Sequence, residues 1–578
     1  VLLKLIAKHS RPYAGWIVLV IVFQLASTIT QLYLPSLNAK IIDQGVVKGD
    51  LDRIWSLGGI MLVVAFIQVI VAVAAVWCGS RVAMAVGRDL RAGVYSQVSA
   101  FSAREVNHFG AATLITRGTN DVQQIQMLVL MALNFMVNAP IMCIGGIIMA
   151  LREDVGLSWL VWVSVPFLFA IVIFLVIRLM PLFQENQDRL DSINGVLREQ
   201  ITGIRVVRAF TREDHETQRF GTANDALTKV GVRVGNLFVL MFPLIMLILE
   251  GATTAVLWFG GHRVDAGHME VGSLTAFMQY LMQILTSVMM GTFMAMMVPR
   301  AMVSATRIGE VLDTESTVHD AAGQDPAPVP GAPAVEFRGV AFGYPGAEKD
   351  VVHGLDFVAE AGKTTAIIGS TGSGKTTLLN LIPRLYDPDQ GEVLIQGVPT
   401  SQLSRARLAA SVSAVPQKPF LFSGTVATNL RFGDEDASDE ALWEALRVAQ
   451  ADDFVSDRDG GLDSGVSQGG TNVSGGQRQR LCIARALVAR PDVYLFDDSF
   501  SALDVATDAR LRAALKPYTE DAAVILVAQR VSTITEADQI LVLDHGEIVA
   551  RGTHDQLLES SETYQEIVRS QISAEEVA

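Results

Sequence analysis

Cysteine is scarce in this chain, with only Cys78, Cys143 and Cys482 among 578 residues. They stand far apart, so neither a disulfide framework nor a metal-ligand spacing is available. Basic charge is also short: 45 Lys and Arg against 60 Asp and Glu leave a formal net charge of −15. That balance argues against a nucleic-acid partner, because nothing would neutralise phosphates over a broad surface. No cleavable signal peptide is expected, since the first apolar run is followed by more of the same rather than by a cleavage site and a polar region. The chain opens Val1-Leu2-Leu3-Lys4 without a methionine, which reads as trimming.

Half of the residues are hydrophobic and the mean hydropathy is +0.36, in conflict with so acidic a balance for one uniform globule. The conflict resolves if the chain has an oily half and a polar half. A membrane-spanning helix needs about 20 mostly apolar residues. Six such runs occur, at roughly 14–37, 54–80, 127–151, 156–182, 235–260 and 273–299. Basic residues concentrate before the first run, in the second–third connection (Arg81, Arg88, Arg91, Arg104, Arg117) and in the fourth–fifth connection from Arg189 to Arg233. The positive-inside rule then puts the N-terminus, both long connections and the C-terminal part on the cytoplasmic side. These connections have helix-like composition and few breakers, and are expected to be helices continuing out of the membrane.

Residues 1–312 are thus expected to form a six-helix transmembrane domain. An Asp/Pro/Ala/Gly-rich linker comes next at 313–333. From 334 to 578, short β-rich runs alternate with helical ones, the pattern of an α/β domain.

Within that domain Gly369-Ser370-Thr371-Gly372-Ser373-Gly374-Lys375-Thr376 fits the phosphate-loop pattern, directly after a strand-like run and before the helical Thr377-Leu378-Leu379. Glycines let successive N–H groups turn toward phosphate oxygens, and the N-terminus of the next helix favours anions. Lys375 reaches the terminal phosphates and the Thr376 hydroxyl ligates Mg²⁺. Val493-Tyr494-Leu495-Phe496-Asp497 is an apolar strand ending in a carboxylate, the Walker B pattern, with Asp497 as a Mg²⁺ holder.

Between these two motifs, Ser474-Gly475-Gly476-Gln477 resembles the signature of ATP-binding cassette (ABC) ATPases, and the resemblance extends along the whole chain. Tyr344 resembles the aromatic residue that stacks on adenine. Gln417 resembles the Q-loop glutamine of the Mg²⁺ shell, and Ser501-Ala502-Leu503-Asp504 resembles the D-loop. Segments 109–125 and 194–210 resemble the intracellular connections of exporter-type members, which carry short coupling helices. The resemblance implies a membrane all-α six-helix domain fused to an α/β P-loop ABC nucleotide-binding domain, an ATP and Mg²⁺ site, and a dimer. In such dimers ATP lies between the phosphate loop of one chain and the signature of the other. A soluble ATPase of the same superfamily is the competing class, and six apolar runs discriminate against it.

The departures from the family pattern carry more information than the matches. Where active members have a glutamate after Walker B, this chain has Asp498, one methylene shorter. Where the switch histidine usually stands, it has Gln529, which donates a hydrogen bond but does not titrate. A displacement of about 1 Å can cost on the order of 10²-fold in rate. Asp497, Asp498 and Gln529 are therefore expected to form a nucleotide-holding, slowly hydrolysing site. The intact signature would complete a partner's site, and the implied partner is a second half-transporter chain with a Walker B glutamate and a switch histidine. Gly465 stands where the family commonly has a glutamate in the cross-domain loop.

The substrate path is less legible. Met278, Met282, Met289, Met290, Met294, Met296, Met297 and Met302 crowd the sixth run and its exit, readable as an adaptable amphiphile site or as ordinary packing. Glu250 is the one carboxylate well inside an apolar run, and is a substrate-path candidate because charge there is costly. The function expected is ATP-driven transport, mainly export, of hydrophobic or amphiphilic compounds such as drugs or lipids, as one half of a heterodimer in a bacterial inner membrane. The alternatives are a carrier of peptide or siderophore-like cargo, working inward, and more distantly a regulatory ATPase.

Overall fold

The computed structural model describes residues 1–295, 297–321 and 323–575. They fall into two compact units, Val1–Ser99 with Ala111–Thr314, and Ala100–Gly110 with Glu315–Ala578. The first unit is helical throughout. Among the described residues, five stretches are long and apolar enough to cross a membrane: Leu2–Val46, Leu51–Ala100, Ala111–Glu153, Trp159–Thr202 and Glu213–Asp265. They contain the first five expected runs. The 50 residues of Leu51–Ala100 extend about 75 Å at helical rise, against a hydrocarbon thickness of about 30 Å. Long connections are therefore continuous with the spans, as their composition predicts.

The sixth run differs from the other five. Val271–Ala295 is a helix of 25 residues, but Gln279, Tyr280 and Gln283 dilute its apolarity and it does not stand with the five by composition. Its burial supplies the reason. Phe277, Tyr280, Leu281, Ile284 and Leu285 are fully buried, packed in one cluster with Leu32, Met142, Leu168 and Ile245 from four other helices. A helix screened by its neighbours meets protein rather than hydrocarbon and tolerates polar side chains that find partners. The Tyr280 hydroxyl does so, donating to the Leu32 carbonyl at 2.9 Å and lying 2.7 Å from the Ser36 hydroxyl. The expected Met296 lies outside the described residues, and helix resumes at Val298–Asp313.

The third span is not a regular helix. π-turns at Arg117–Asp121 and Ala132–Met136 interrupt it, each inserting an extra residue and re-aiming the side chains beyond it. Past the end of this span, Arg263 grips Asp154 through two nitrogens at 2.9 and 3.1 Å, while the other Asp154 oxygen accepts from the Leu157 N–H at 2.7 Å. That ties the third–fourth connection to the end of the fifth span.

The second unit is built on β-sheets. We number its strands β1 (Val335–Phe342), β2 (Val352–Ala359), β3 (Thr364–Gly369), β4 (Gln390–Ile395), β5 (Val398–Pro399), β6 (Val412–Val415), β7 (Gly424–Thr425), β8 (Gly465–Val466), β9 (Val493–Asp497), β10 (Ala523–Val527), β11 (Gln539–Asp544) and β12 (Glu547–Gly552). The main sheet has the order β12-β11-β3-β10-β9-β6, and an antiparallel sheet has the order β2-β1-β4-β5. In the main sheet β11, β3, β10, β9 and β6 run parallel. Alternation divides their side chains between two cores. Ala366, Ile368, Tyr494, Phe496, Val524 and Leu526 face one, and Ile367, Val493, Leu495, Ile525 and Val527 face the other.

Ala100–Gly110, which the sequence places inside the membrane domain, packs instead with this second unit. The short helix of that connection is Ala103–Phe109, just before the 109–125 segment expected to hold it, and the corresponding helix of the other connection is Ile204–Ala209. Glu105 explains the first placement. It is buried, caps its own helix through the Ser102 N–H and hydroxyl at 2.9 and 2.6 Å, and accepts from the Thr317 N–H and hydroxyl at 3.2 and 2.9 Å. Asn107 donates to the Tyr386 hydroxyl at 3.0 Å, and Arg405 to the Ala100 carbonyl at 3.0 Å. Burial raises the Glu105 carboxyl, but the Ser102 and Thr317 bonds outweigh it and hold the group below its ordinary value.

A lowered folded value means that Glu105 stabilises above the ordinary carboxylate value of 4.5 and loses that contribution as pH falls through the folded one. Glu105→Ala is expected to cost about 2 kcal/mol at neutral pH. Thermal-shift curves at pH 7.5 and below pH 4.5 check it: the gap from the unsubstituted chain narrows at the lower pH.

Candidate functional site

Parallel pairing places the ends of three strands side by side. Val527 of β10 pairs with Ile367 of β3 and with Asp497 of β9, so the segments leaving β3, β9 and β10 emerge at one edge of the sheet. Crevices at the carboxyl ends of parallel strands are where such folds hold ligands.

From β3 the chain enters the Ser370–Gly374 loop and then the Lys375–Leu381 helix. Two glycines there are required by geometry. A Cβ on Gly369 would collide with the Leu543 carbonyl, and Gly374 has φ +101° with Val352 and the Val351 carbonyl packed against it. Lys375 bends back over the loop, its ammonium donating to the carbonyls of Gly369 at 2.9 Å and Ser370 at 2.7 Å. Burial holds that ammonium below its ordinary range, against the pull of Asp497 and Asp498. A partly desolvated cation inside a ring of backbone N–H groups suits polyphosphate.

Tyr344 reaches the same helix, its hydroxyl 3.1 Å from that of Thr377. Its ring stands edge-on to Phe342 and Tyr386 at centroid distances of 5.1 and 5.6 Å. Thr376, Gln417 and Asp497 line one cavity of about 410 Å³. Burial, opposed by the Thr376 hydrogen bond and reinforced by Asp498, keeps the buried Asp497 carboxyl above its ordinary range. Hydroxyl, amide and carboxylate oxygens around a destabilised negative charge form a donor set that fits Mg²⁺.

The two departures from the family pattern meet in this site. Gln529 Nε2 donates to Asp498 Oδ2 at 2.8 Å, and Gln417 Nε2 lies 3.5 Å from the same oxygen. Asp498 takes a left-handed backbone, φ +48°, held by its N–H to the Val527 carbonyl at 3.0 Å and by the Ser501 hydroxyl on its own carbonyl at 2.8 Å. Sequence reading finds both side chains but not their bond.

It also misses Gln571. From the C-terminal helix Glu562–Glu575, Gln571 donates to the Gln529 carbonyl at 2.7 Å and accepts from the Val531 N–H at 2.8 Å. One amide thus holds both sides of the segment after β10. No sequence motif marks it.

The signature residues are arranged separately. Ser474 and Gln477 form a reciprocal capping box on the Gly475–Val488 helix, at 3.2 and 3.0 Å. Ser474 and Gly475 are exposed, Gly476 sits against the Ala502 carbonyl, and no hydrogen bond among the described residues ties the signature to the phosphate loop. Gly465 is in the short β7–β8 pair, where its carbonyl accepts from Arg458 and Asn472.

In the helical unit Glu250 is exposed and lines none of the cavities found among the described residues. The methionines divide. Met278, Met282 and Met289 pack on the bundle core, Met294 is buried beside Leu128 and Ala301, with Met297 packed on that cluster, Met290 lines a cavity and Met302 is exposed.

Comparison with known proteins agrees with this geometry. Residues 17–288 match the family model of the ABC transporter transmembrane region, and residues 352–501 match the ABC transporter family model. An uncharacterised ABC transporter ATP-binding protein of Mycobacterium tuberculosis is 48% identical over 575 residues, 99% of this chain and 98% of its own. The uncharacterised Bacillus subtilis YfiB, another ABC transporter ATP-binding protein, is 35% identical over 565 residues, 98% of both. Among solved structures, a bacterial Atm1-family ABC exporter with ATP bound superposes at a TM-score of 0.80 and 25% identity, over 97% of this chain and 99% of that one.

The Gln571 clamp is directly measurable. Replacing it with Leu removes both amide bonds, each worth about 1 kcal/mol. Amide hydrogen exchange at Val531 is expected to accelerate roughly fivefold or more, while exchange in β3 stays unchanged; equal protection at Val531 in both proteins would remove the clamp.

Proposed function

The chain belongs to the ABC transporter family with the exporter fold, and from that premise we propose that it is the nucleotide-holding half of a heterodimeric exporter of hydrophobic or amphiphilic compounds. ATP-driven transport comes with the family, and the division of labour between two chains is the inference. The observation that carries it is the Asp498–Gln529 hydrogen bond beside an intact phosphate loop.

Hydrolysis requires a carboxylate free to orient a water in line with the terminal phosphate. Asp498 is short for that reach, and its Oδ2 is engaged by Gln529 at 2.8 Å. Gln529 contributes a neutral donor and cannot take up a proton as the terminal phosphate gains charge. Binding is unaffected by either change: Lys375, the loop N–H groups and Tyr344 grip the nucleotide, and Thr376, Gln417 and Asp497 hold the Mg²⁺, which neutralises phosphate charge when bound. This arrangement supports a site that closes on ATP and reopens slowly.

The exposed signature serves a different site. Ser474 and Gly475 stand at a helix N-terminus turned to solvent, available to the phosphates of a partner's ATP. A partner with its own catalytic glutamate and histidine would then perform most of the turnover. The basic connections support an N-terminus and nucleotide-binding domain on the cytoplasmic face of a bacterial inner membrane.

ATP turnover by the purified chain in lipid nanodiscs tests the reading. The unsubstituted chain is expected to hydrolyse slowly, and Asp498→Glu combined with Gln529→His to raise turnover by about 10²-fold at similar nucleotide affinity. If the unsubstituted chain alone turns over as fast as the double variant, the degenerate-site reading fails.

A further inference from the structure

Two cavities in the helical unit meet along a common wall. The larger, of about 560 Å³, is lined by apolar side chains including Met136, Phe169, Ile173, Ile177 and Val288. The smaller, of about 290 Å³, is lined by Gln31, Asn138, Gln283, Thr286 and Met290 among others. Ala139 and Ser287 line both. Volumes of a few hundred Å³ suit small organic ligands.

The π-turn at Ala132–Met136 builds the seam. Its extra residue rotates the helix beyond it, and Met136, Asn138 and Ala139 come to line the cavities. Opposite them, Gly291 leaves room beside Ala139: a Cβ there would stand 3.5 Å from the Ala139 methyl.

The chemistry of the lining narrows the occupant. No carboxylate, amine, guanidinium or imidazole lines either cavity, so a charged ligand would lose its hydration without gaining a counter-charge. Most polar groups at the seam have partners. Asn138 Oδ1 accepts from the Thr28 hydroxyl at 3.0 Å, and the Ser287 hydroxyl donates to the Ile284 carbonyl at 2.8 Å and lies 3.3 Å from Cys143 Sγ. Gln283 is the exception. Its Oε1 is buried and accepts no hydrogen bond among the described residues. A buried acceptor left unmatched is costly, and such groups are retained where something else completes them.

We propose that the joined cavities form a binding site for an uncharged, largely apolar compound bearing one hydrogen-bond donor, with the apolar body in the larger cavity and the donor on Gln283. This deepens the transport reading and rests on it only for the compound's being carried. It also assigns polarity recognition to Gln283 rather than to Glu250.

N-phenyl-1-naphthylamine, an apolar ring system with one N–H, and its N-methyl analogue are suitable probes. Binding is measured by scintillation proximity with the tritiated compounds on the full-length chain in nanodiscs, with retained binding of a fluorescent ATP analogue as the check on folding. The N–H compound is expected to bind about tenfold more tightly than the N-methyl one. Gln283→Met, close in size and without the amide, levels the two while keeping N-methyl binding. Ala139→Phe fills the seam and weakens both. A tenfold preference that survives Gln283→Met overturns the donor assignment, and unchanged binding in Ala139→Phe overturns the site. ATP-dependent vesicle uptake of the N–H probe separates the two readings: uptake indifferent to both variants sinks the site alone, whereas binding as described without uptake sinks the transport reading and leaves the site.

Discussion

Parallel hydrogen bonding among β3, β10 and β9 is the constraint on which the nucleotide site depends. Its register brings Ile367, Val527 and Asp497 to one level, and every chemical group of the site leaves the sheet within a few residues of that line. Shift β10 by one residue and its side chains exchange faces, carrying Ile525 and Val527 out of one core and Gln529 away from Asp498. Burial on both faces prevents that slip, since Val524 and Leu526 serve one core while Ile525 and Val527 serve the other. The hydrophobic alternation that stabilises the domain therefore also sets where a 2.8 Å hydrogen bond between two polar side chains forms.

The helical unit meets a different physical problem. Its outer helices face hydrocarbon and are apolar along their spans, whereas Val271–Ala295 lies among the others and keeps Gln279, Tyr280 and Gln283. Tyr280 satisfies its hydroxyl on Leu32 and Ser36. Gln283, about one turn further on, leaves its carbonyl unmatched. The least apolar of the six helices is thus the one in which polar groups cost least to bury and have most to recognise.

Long-range ties of modest size position what the sheets and helices only support. Glu105 joins an excursion from the helical sequence to Thr317, and Gln571 reaches back about forty residues to the segment carrying Gln529. Each works because a buried or half-buried polar group finds all its partners at once. Neither lies in a recognised motif, and both act on segments that move charge or force in a transporter of this family.

The sequence by itself determined the two-part chain, five of the six spans by their apolar length, the phosphate loop by its glycine spacing, and the family by its signature. These properties are local: hydrocarbon thickness counts consecutive residues, and a loop around phosphate needs glycines at fixed offsets. Asp498 and Gln529 were visible as unusual residues for the same reason. Only the tertiary structure decided that they bind each other, that Gln571 holds their segment, that 100–110 belongs with the second unit, that Glu250 is exposed and that Gln283 lacks a partner. Each of these is a pairing or a burial between residues distant in the chain, and periodicity and spacing record which residues share a turn or a face, not which distant ones meet.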